Sequence, residues 1–173
     1  MKKKFRRLPP VCLFLSVFRL ITGKLRLSDL FIGEIIEMAD NSNFQIFRHI
    51  TDRKVTYTSK FTVFIVSFKF SHLSHKANKI ASIVPMLLIT GFPGFVKKIY
   101  AVNPKNGYWQ GMYQWESLEY LEEYKKSLVF KVMNKRAIPT TIRSIQFENK
   151  SLDSFIERDG QKELKNAKQT ILA

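Results

Sequence analysis

Cysteine, histidine and acidic residues are all scarce in this chain, and each shortage excludes something. A single cysteine, Cys12, rules out an intramolecular disulfide framework, and the three histidines (His49, His72, His75) have no thiolate company for a zinc site. No metal is therefore expected, and a reducing, cytoplasmic setting suits the cysteine usage. No apolar run reaches the roughly 20 residues needed to cross a bilayer core. Equally absent are a phosphate-binding Gly-rich loop, a Ser-His-Asp set and paired carboxylates in a recognisable context. Asp and Glu number 14 against 29 Lys and Arg, which leaves a formal charge of +15. That excess points to an anionic surface or ligand without choosing between nucleic acid and lipid.

What is present is enough to build a core. Apolar residues make up 45% of the 173, with fifteen Phe among them. Single domains commonly run to about 100–200 residues, so one domain with extensions is expected. The composition divides the chain into a basic, apolar N-terminal segment (1–30), a β-hairpin extension and linker (31–60), a main domain (61–148) and a polar C-terminal tail (149–173).

The N-terminal segment opens with Lys2, Lys3, Lys4, Arg6 and Arg7, and an apolar stretch follows from Val11 to Phe18. It looks like a signal peptide, yet no Ala-x-Ala type cleavage site follows. An amphipathic helix remains, with Pro9 and Pro10 suited to its first turn and Gly23 to its end. Leu13, Phe14, Val17, Phe18 and Ile21 would enter the lipid boundary while basic flanks meet anionic headgroups, placing the protein at the inner membrane face. The other reading packs this helix on its own domain or on a partner copy. Beyond it, Ile35–Met38 and Phe44–Ile50 read as strands around the turn-forming Asp40-Asn41-Ser42-Asn43.

The main domain reads as β-α-β-β-α-β. Thr62 to His72 alternates Phe64, Val66, Phe68 and Phe70 on one face with Val63, Ile65, Ser67 and Lys69 on the other. Ser74 can cap a helix in which Ala77, Ile80, Ala81, Val84 and Leu88 recur at helical spacing, with a kink or a new turn expected at Pro85. Strands at Phe95–Val102 and Tyr108–Glu116 flank the turn Asn103–Gly107. A second helix is expected from Ser117 to about Arg136, its acidic residues early, its basic residues late, and Glu122 paired with Lys126. Pro139 ends it, and Thr140–Phe147 is the last strand.

This fold class, α+β with a ferredoxin-like order, puts helices on one face of an antiparallel sheet. Both strand faces are apolar, so the uncovered face needs shelter. A symmetry mate would supply it, giving a homodimer and a dimeric α/β barrel. The competing cover is the N-terminal hairpin or the tail.

Three stretches carry a family resemblance: Gly91-Phe-Pro-Gly-Phe-Val-Lys-Lys, Gly111-Met-Tyr-Gln-Trp-Glu-Ser, and the Glu- and Tyr-rich helix that follows. Together they resemble the dimeric α/β-barrel superfamily of antibiotic-biosynthesis-monooxygenase-like proteins, and within it the YdhR-like group, over roughly Val63 to Phe147. The resemblance implies a small apolar or aromatic substrate held between sheet and helices and oxidised by oxygen with no metal or organic cofactor. On that view Phe68, Phe70, Trp109, Tyr113, Trp115 and Tyr120 line a ligand site, Tyr124 can add a hydroxyl, and His72 at a strand end is the candidate acid-base residue. The plainer reading makes the aromatics core or interface residues and His72 structural. Haem-degrading members place a ligating His on the second helix, and the helix after Ser117 has none, which puts haem degradation in doubt.

A non-catalytic binding or interaction module at the membrane surface is the alternative from another class. Nucleic acid is not expected: the same strand order occurs in RNA-recognition domains, but Gly107-Tyr-Trp-Gln-Gly-Met-Tyr matches their aromatic strand only loosely.

Overall fold

The structure, a computed structural model, describes residues 8–38, 40–53, 61–72, 74–156 and 170–171. The basic residues up to Arg7, most of the expected linker and most of the tail lie outside them. In chain order the elements are α1 (Pro9–Ile21), β1 (Leu25–Leu27), β2 (Ile35–Glu37), β3 (Asn43–Asp52), β4 (Thr62–Phe68), α2 (His75–Ala81), α3 (Ile83–Thr90), β5 (Phe95–Val102), β6 (Trp109–Trp115), α4 (Leu118–Lys125), α5 (Leu128–Lys135), β7 (Arg143–Glu148), α6 (Asp153–Ile156) and β8 (Thr170–Ile171). A single antiparallel sheet runs in the order β1-β3-β5-β6-β4-β7-β8, with β2 paired to β3. Its middle, β5-β6-β4-β7, is the ferredoxin-like sheet expected from the alternation in the sequence.

The expected hairpin of Ile35–Met38 and Phe44–Ile50 is present as β2 and β3, and it does more than decorate. β3 adds to the outer edge of β5, pairing Gln45 with Val102 and Thr51 with Lys97 around a bulge between Ile46 and Arg48. The hairpin therefore belongs to the same sheet as the domain behind it.

Strand alternation sorts the side chains as their period of two requires. Phe64, Val66, Tyr113 and Trp115 face the helices, and Val63, Ile65, Ile99 and Met112 face the reverse side. That reverse side is the main departure from expectation. It is filled from within the polypeptide: Leu152, Phe155 and Ile156 around α6 and Ile36 and Met38 of the hairpin pack against Ile65, Ile99, Ala101 and Met112. Lys97 on that face pins α6 through Asp153, with Nζ 2.5 and 2.6 Å from the two carboxylate oxygens. Burying an aliphatic or aromatic side chain of this size stabilises by about 1.5–3 kcal/mol, so a few residues of tail suffice. A second copy is not needed to cover this face, and the sheet is open rather than closed into a barrel.

Three local expectations shift. The first helix breaks at Ser82, three residues before Pro85, which leaves Pro85 in the first turn of α3, where its missing N–H costs nothing. The second helix is two helices: it stops at Lys126, and Ser127 restarts it, its Oγ accepting from the Phe130 N–H at 3.2 Å. Glu122 consequently pairs with Lys125 at 2.9 Å rather than with Lys126. The first strand of the domain ends at Phe68, and beyond it Phe70 makes a lone bridge to Ala137.

Candidate functional site

Trp109, Tyr113 and Trp115 share the helix-facing side of β6, opposite Phe68, Phe64 and Thr62 of β4. Gly111 between them makes this possible, because the Tyr113 ring folds back over its Cα and an added Cβ would stand 2.9 Å from Tyr113 Cε2. From above, α4 lowers Tyr124, which stacks on Trp115 at 4.8 Å and lies 5.8 Å from the Tyr113 ring. Phe92 from the Gly91–Phe95 turn meets both Trp115 and Tyr124 edge-on. The result is a dense aromatic layer between sheet and helices.

Two residues that the sequence reading gave no site role complete it. Lys98 on β5 lies directly across from Tyr113 in the register and is 1% exposed. Its Nζ sits 4.0 Å from the Tyr100 ring and 4.3 Å from the Tyr113 ring, and no carboxylate among the described residues pairs with it. Burial, and then the nearby Arg48 charge, hold its amine well below the ordinary lysine range. Burial likewise pushes the Tyr100, Tyr113 and Tyr124 hydroxyls upward. The Tyr100 hydroxyl and the Trp115 Nε1 are buried with no hydrogen-bond partner. The signal was available: Lys98 is two residues from Tyr100, so strand alternation puts both on the aromatic face.

What the layer lacks is room. The space enclosed by Val66, Phe68, Tyr113, Tyr124, Phe130 and Met133 is about 10 Å³. A single water needs about 10–15 Å³ of such space, whereas ligand pockets run to several hundred.

Of the other proposed site residues, Phe70 and His72 line one open pocket of about 260 Å³ with Asn78, Lys135 and Arg136, and Tyr120 stands apart from it. Phe70 stands edge-on to both Phe68 and Trp109 beside the layer. Tyr120, at the helix boundary, lies over Gly94, whose φ of +75° and lack of a Cβ let the ring settle there. His72 is exposed, and its contribution is a backbone carbonyl that accepts from Asn78 Nδ2 at 3.1 Å. The histidine that touches the aromatics is His75: its Nδ1 accepts from Trp109 Nε1 at 3.2 Å and its ring stacks on the indole at 5.8 Å.

A second feature lies outside the layer. Helix α1 is fixed to the domain along a narrow inner stripe of Cys12 and Ser16, with Ser16 Oγ bonded to the Leu87 carbonyl and 2.9 Å from Thr90 Oγ1. Arg19 clamps its far end by donating to the Thr90 carbonyl at 2.7 Å and pairing with Asp52. The opposite face, carrying Leu13, Phe14, Val17, Phe18 and Ile21, is in solvent, with Phe14 70% and Ile21 81% exposed. Lys24 lies 5.3 Å from the Phe18 ring at its edge. Of the two readings of this helix, the structure shows the packing on its own domain, and the helix keeps an apolar face outward. No helix among the described residues is long and apolar enough to cross a membrane.

No family model and no curated protein matches the chain. Solved structures similar to it include a monooxygenase-like protein from Listeria innocua, 8% identical with a TM-score of 0.47, covering 62% of this chain and 64% of that one. A ferredoxin-fold protein related to antibiotic biosynthesis monooxygenases from Listeria monocytogenes is 11% identical with a TM-score of 0.45, covering 65% and 67%. A heme-degrading enzyme from the same organism is 10% identical with a TM-score of 0.48, covering 76% and 91%. The chain spans about half the length of a further similar protein, from Fusobacterium nucleatum.

Proposed function

We propose that this chain is a ferredoxin-like module that docks on an anionic membrane surface through α1 and acts by binding rather than by catalysis. One observation carries the reading: Leu13, Phe14, Val17, Phe18 and Ile21 stay exposed on a helix that Cys12, Ser16 and Arg19 already tie to the domain. Side chains that only filled a core would face inward, whereas an interfacial helix keeps such a face free for the acyl boundary. The charge supports it, because Met1 to Ser28 contains no Asp or Glu and, besides Arg19, which pairs with Asp52, seven Lys and Arg (Lys2, Lys3, Lys4, Arg6, Arg7, Lys24, Arg26). Each such cation near an anionic surface contributes about 1 kcal/mol.

A cofactor-independent oxygenase acting on a small apolar molecule would need a chamber beside Trp109, Tyr113 and Trp115. The 10 Å³ found beside Tyr113 supports packing as the role of that residue.

Flotation of the full chain with vesicles tests the proposal. Binding is expected to phosphatidylglycerol-containing vesicles, much weaker binding to pure phosphatidylcholine, and loss of binding in a Phe14→Asp, Ile21→Asp double variant. Equal binding to both vesicle types, or an unaffected double variant, would overturn it.

A further inference from the structure

If α1 rests on lipid, the rest of the helix layer lies beside it, and the inference here rests on that reading of α1. α1 packs along α3, and α3 in turn contacts α5, so the three helices adjoin across the same side of the sheet. Among the side chains that α2, α3 and α5 turn outward, several are apolar as well. Ile80, Ile83 and Val84 are exposed around the α2–α3 junction, and Leu128 and Val132 are exposed on α5. Isolated exposed apolar residues are ordinary, but here three adjoining elements present them on one side.

Charge separates this side from an ordinary wet helix face. None of the acidic residues lies in α1, α2, α3 or α5, and the whole stretch from Arg53 to Trp115 is free of Asp and Glu. Lys76, Lys131 and Lys135 are exposed on the same helices. The acidic residues of the helix layer are confined to α4, as Glu119, Glu122 and Glu123. A soluble helix normally mixes both signs on its outer face; a helix facing anionic lipid gains from apolar residues and cations and loses from carboxylates.

We infer that the anionic-lipid contact is made by the helix layer as a whole, with the α2–α3 junction and α5 beside α1, so that the sheet lies over the bilayer and α4 sits at the margin of the contact. Val84 and Val132 are then lipid-facing residues.

Depth measurement tests this on the full chain. Single cysteines are introduced as Phe18→Cys, Val84→Cys, Val132→Cys and, in the β5–β6 turn, Lys105→Cys, each labelled with an environment-sensitive fluorophore. Native Cys12 is fully buried and stays unlabelled. With phosphatidylglycerol–phosphatidylcholine vesicles carrying a quencher in the acyl region, labels at 18, 84 and 132 are expected to shift blue and be quenched, and the label at 105 to do neither. A Val84→Glu, Val132→Glu double variant is expected to partition about tenfold more weakly than wild type. Quenching at 18 alone, or an unchanged double variant, overturns the broad contact while leaving α1 as the anchor. Quenching at none of the positions, with no flotation, overturns both. These positions are exposed, and unchanged thermal unfolding of each variant in the absence of lipid keeps misfolding apart from lost contact.

Discussion

Gly91 and Cys12 meet backbone to backbone where α1 crosses the end of α3, and a Cβ on Gly91 would overlap the Cys12 carbonyl. This contact sets how close the helix lies to the domain. Gly91→Ala is expected to push α1 outward and destabilise the fold by about 1–3 kcal/mol, the usual range for overpacking. The Cys12 thiol reports the movement independently, because burial pushes its pKa up to about 11 and hides it from reagents. Labelling by a disulfide reagent at neutral pH should be slow in wild type and faster in the variant; equal rates would contradict the role given to Gly91.

His49 makes stability depend on pH. It is buried on the reverse face, 5.3 Å from the Phe31 ring, with neither ring nitrogen hydrogen-bonded. Burial first, and Lys97 second, lower its pKa from 6.5 to about 4, against an opposing pull from Asp153. Between those two values the unfolded chain binds a proton that the folded chain refuses. Stability from this group is therefore complete above pH 6.5 and declines as the pH falls towards 4. Paired urea titrations at about pH 7 and pH 4 should show wild type losing roughly 2–3 kcal/mol more than His49→Phe. Parallel losses would refute this.

Lys98 is expected to be a liability to the fold. Removing the amine from beneath Tyr100 and Tyr113 while keeping its volume, as in Lys98→Met, should raise stability by about 1–3 kcal/mol near neutral pH. Because the folded-state pKa is depressed, the gain should grow as the pH is lowered and shrink towards the unfolded-state value. Tyr100→Phe removes an unpartnered hydroxyl and keeps the ring face, so it should be neutral or stabilising by less than about 1 kcal/mol. A sharp loss of stability in either variant, measured by thermal unfolding, would mean that Lys98 or the hydroxyl has a partner that this geometry does not reveal.

Phe155 tests the cover of the reverse face. It is fully buried against Phe147 at 4.5 Å, and Phe155→Ala should cost about 3 kcal/mol in urea unfolding. A change below about 1 kcal/mol would mean that α6 does not hold that face.

The parts of the fold that were legible in the sequence are those that local pattern dictates. Alternation in Thr62–Phe68 fixed which side chains share a face, and the same rule correctly aligned Trp109, Tyr113 and Trp115. The cover of the reverse face was not legible in this way, because Leu152, Phe155 and Ile156 lie in a short polar-looking tail whose partners are distant in sequence. The break at Ser127 was hidden too, since leucine and lysine spacing continues across it and only the serine marks a new cap. Among the site residues, a histidine at an expected strand end and one at a helix start look alike in sequence. Whether His72 or His75 reaches Trp109 depends on where the strand stops, and it stops at Phe68, ahead of the lone bridge from Phe70 to Ala137.

The β3 strand laid along β5 has one more consequence. In a bare four-stranded arrangement β5 would be an edge, eight residues of unpaired amides and carbonyls open to any extended chain. Here that row is spoken for, and the new margin is made of β1 and β2, each only three residues long. So short a rim offers too few hydrogen bonds to recruit a foreign strand, and the same hairpin that enlarges the sheet stops it from growing on this flank.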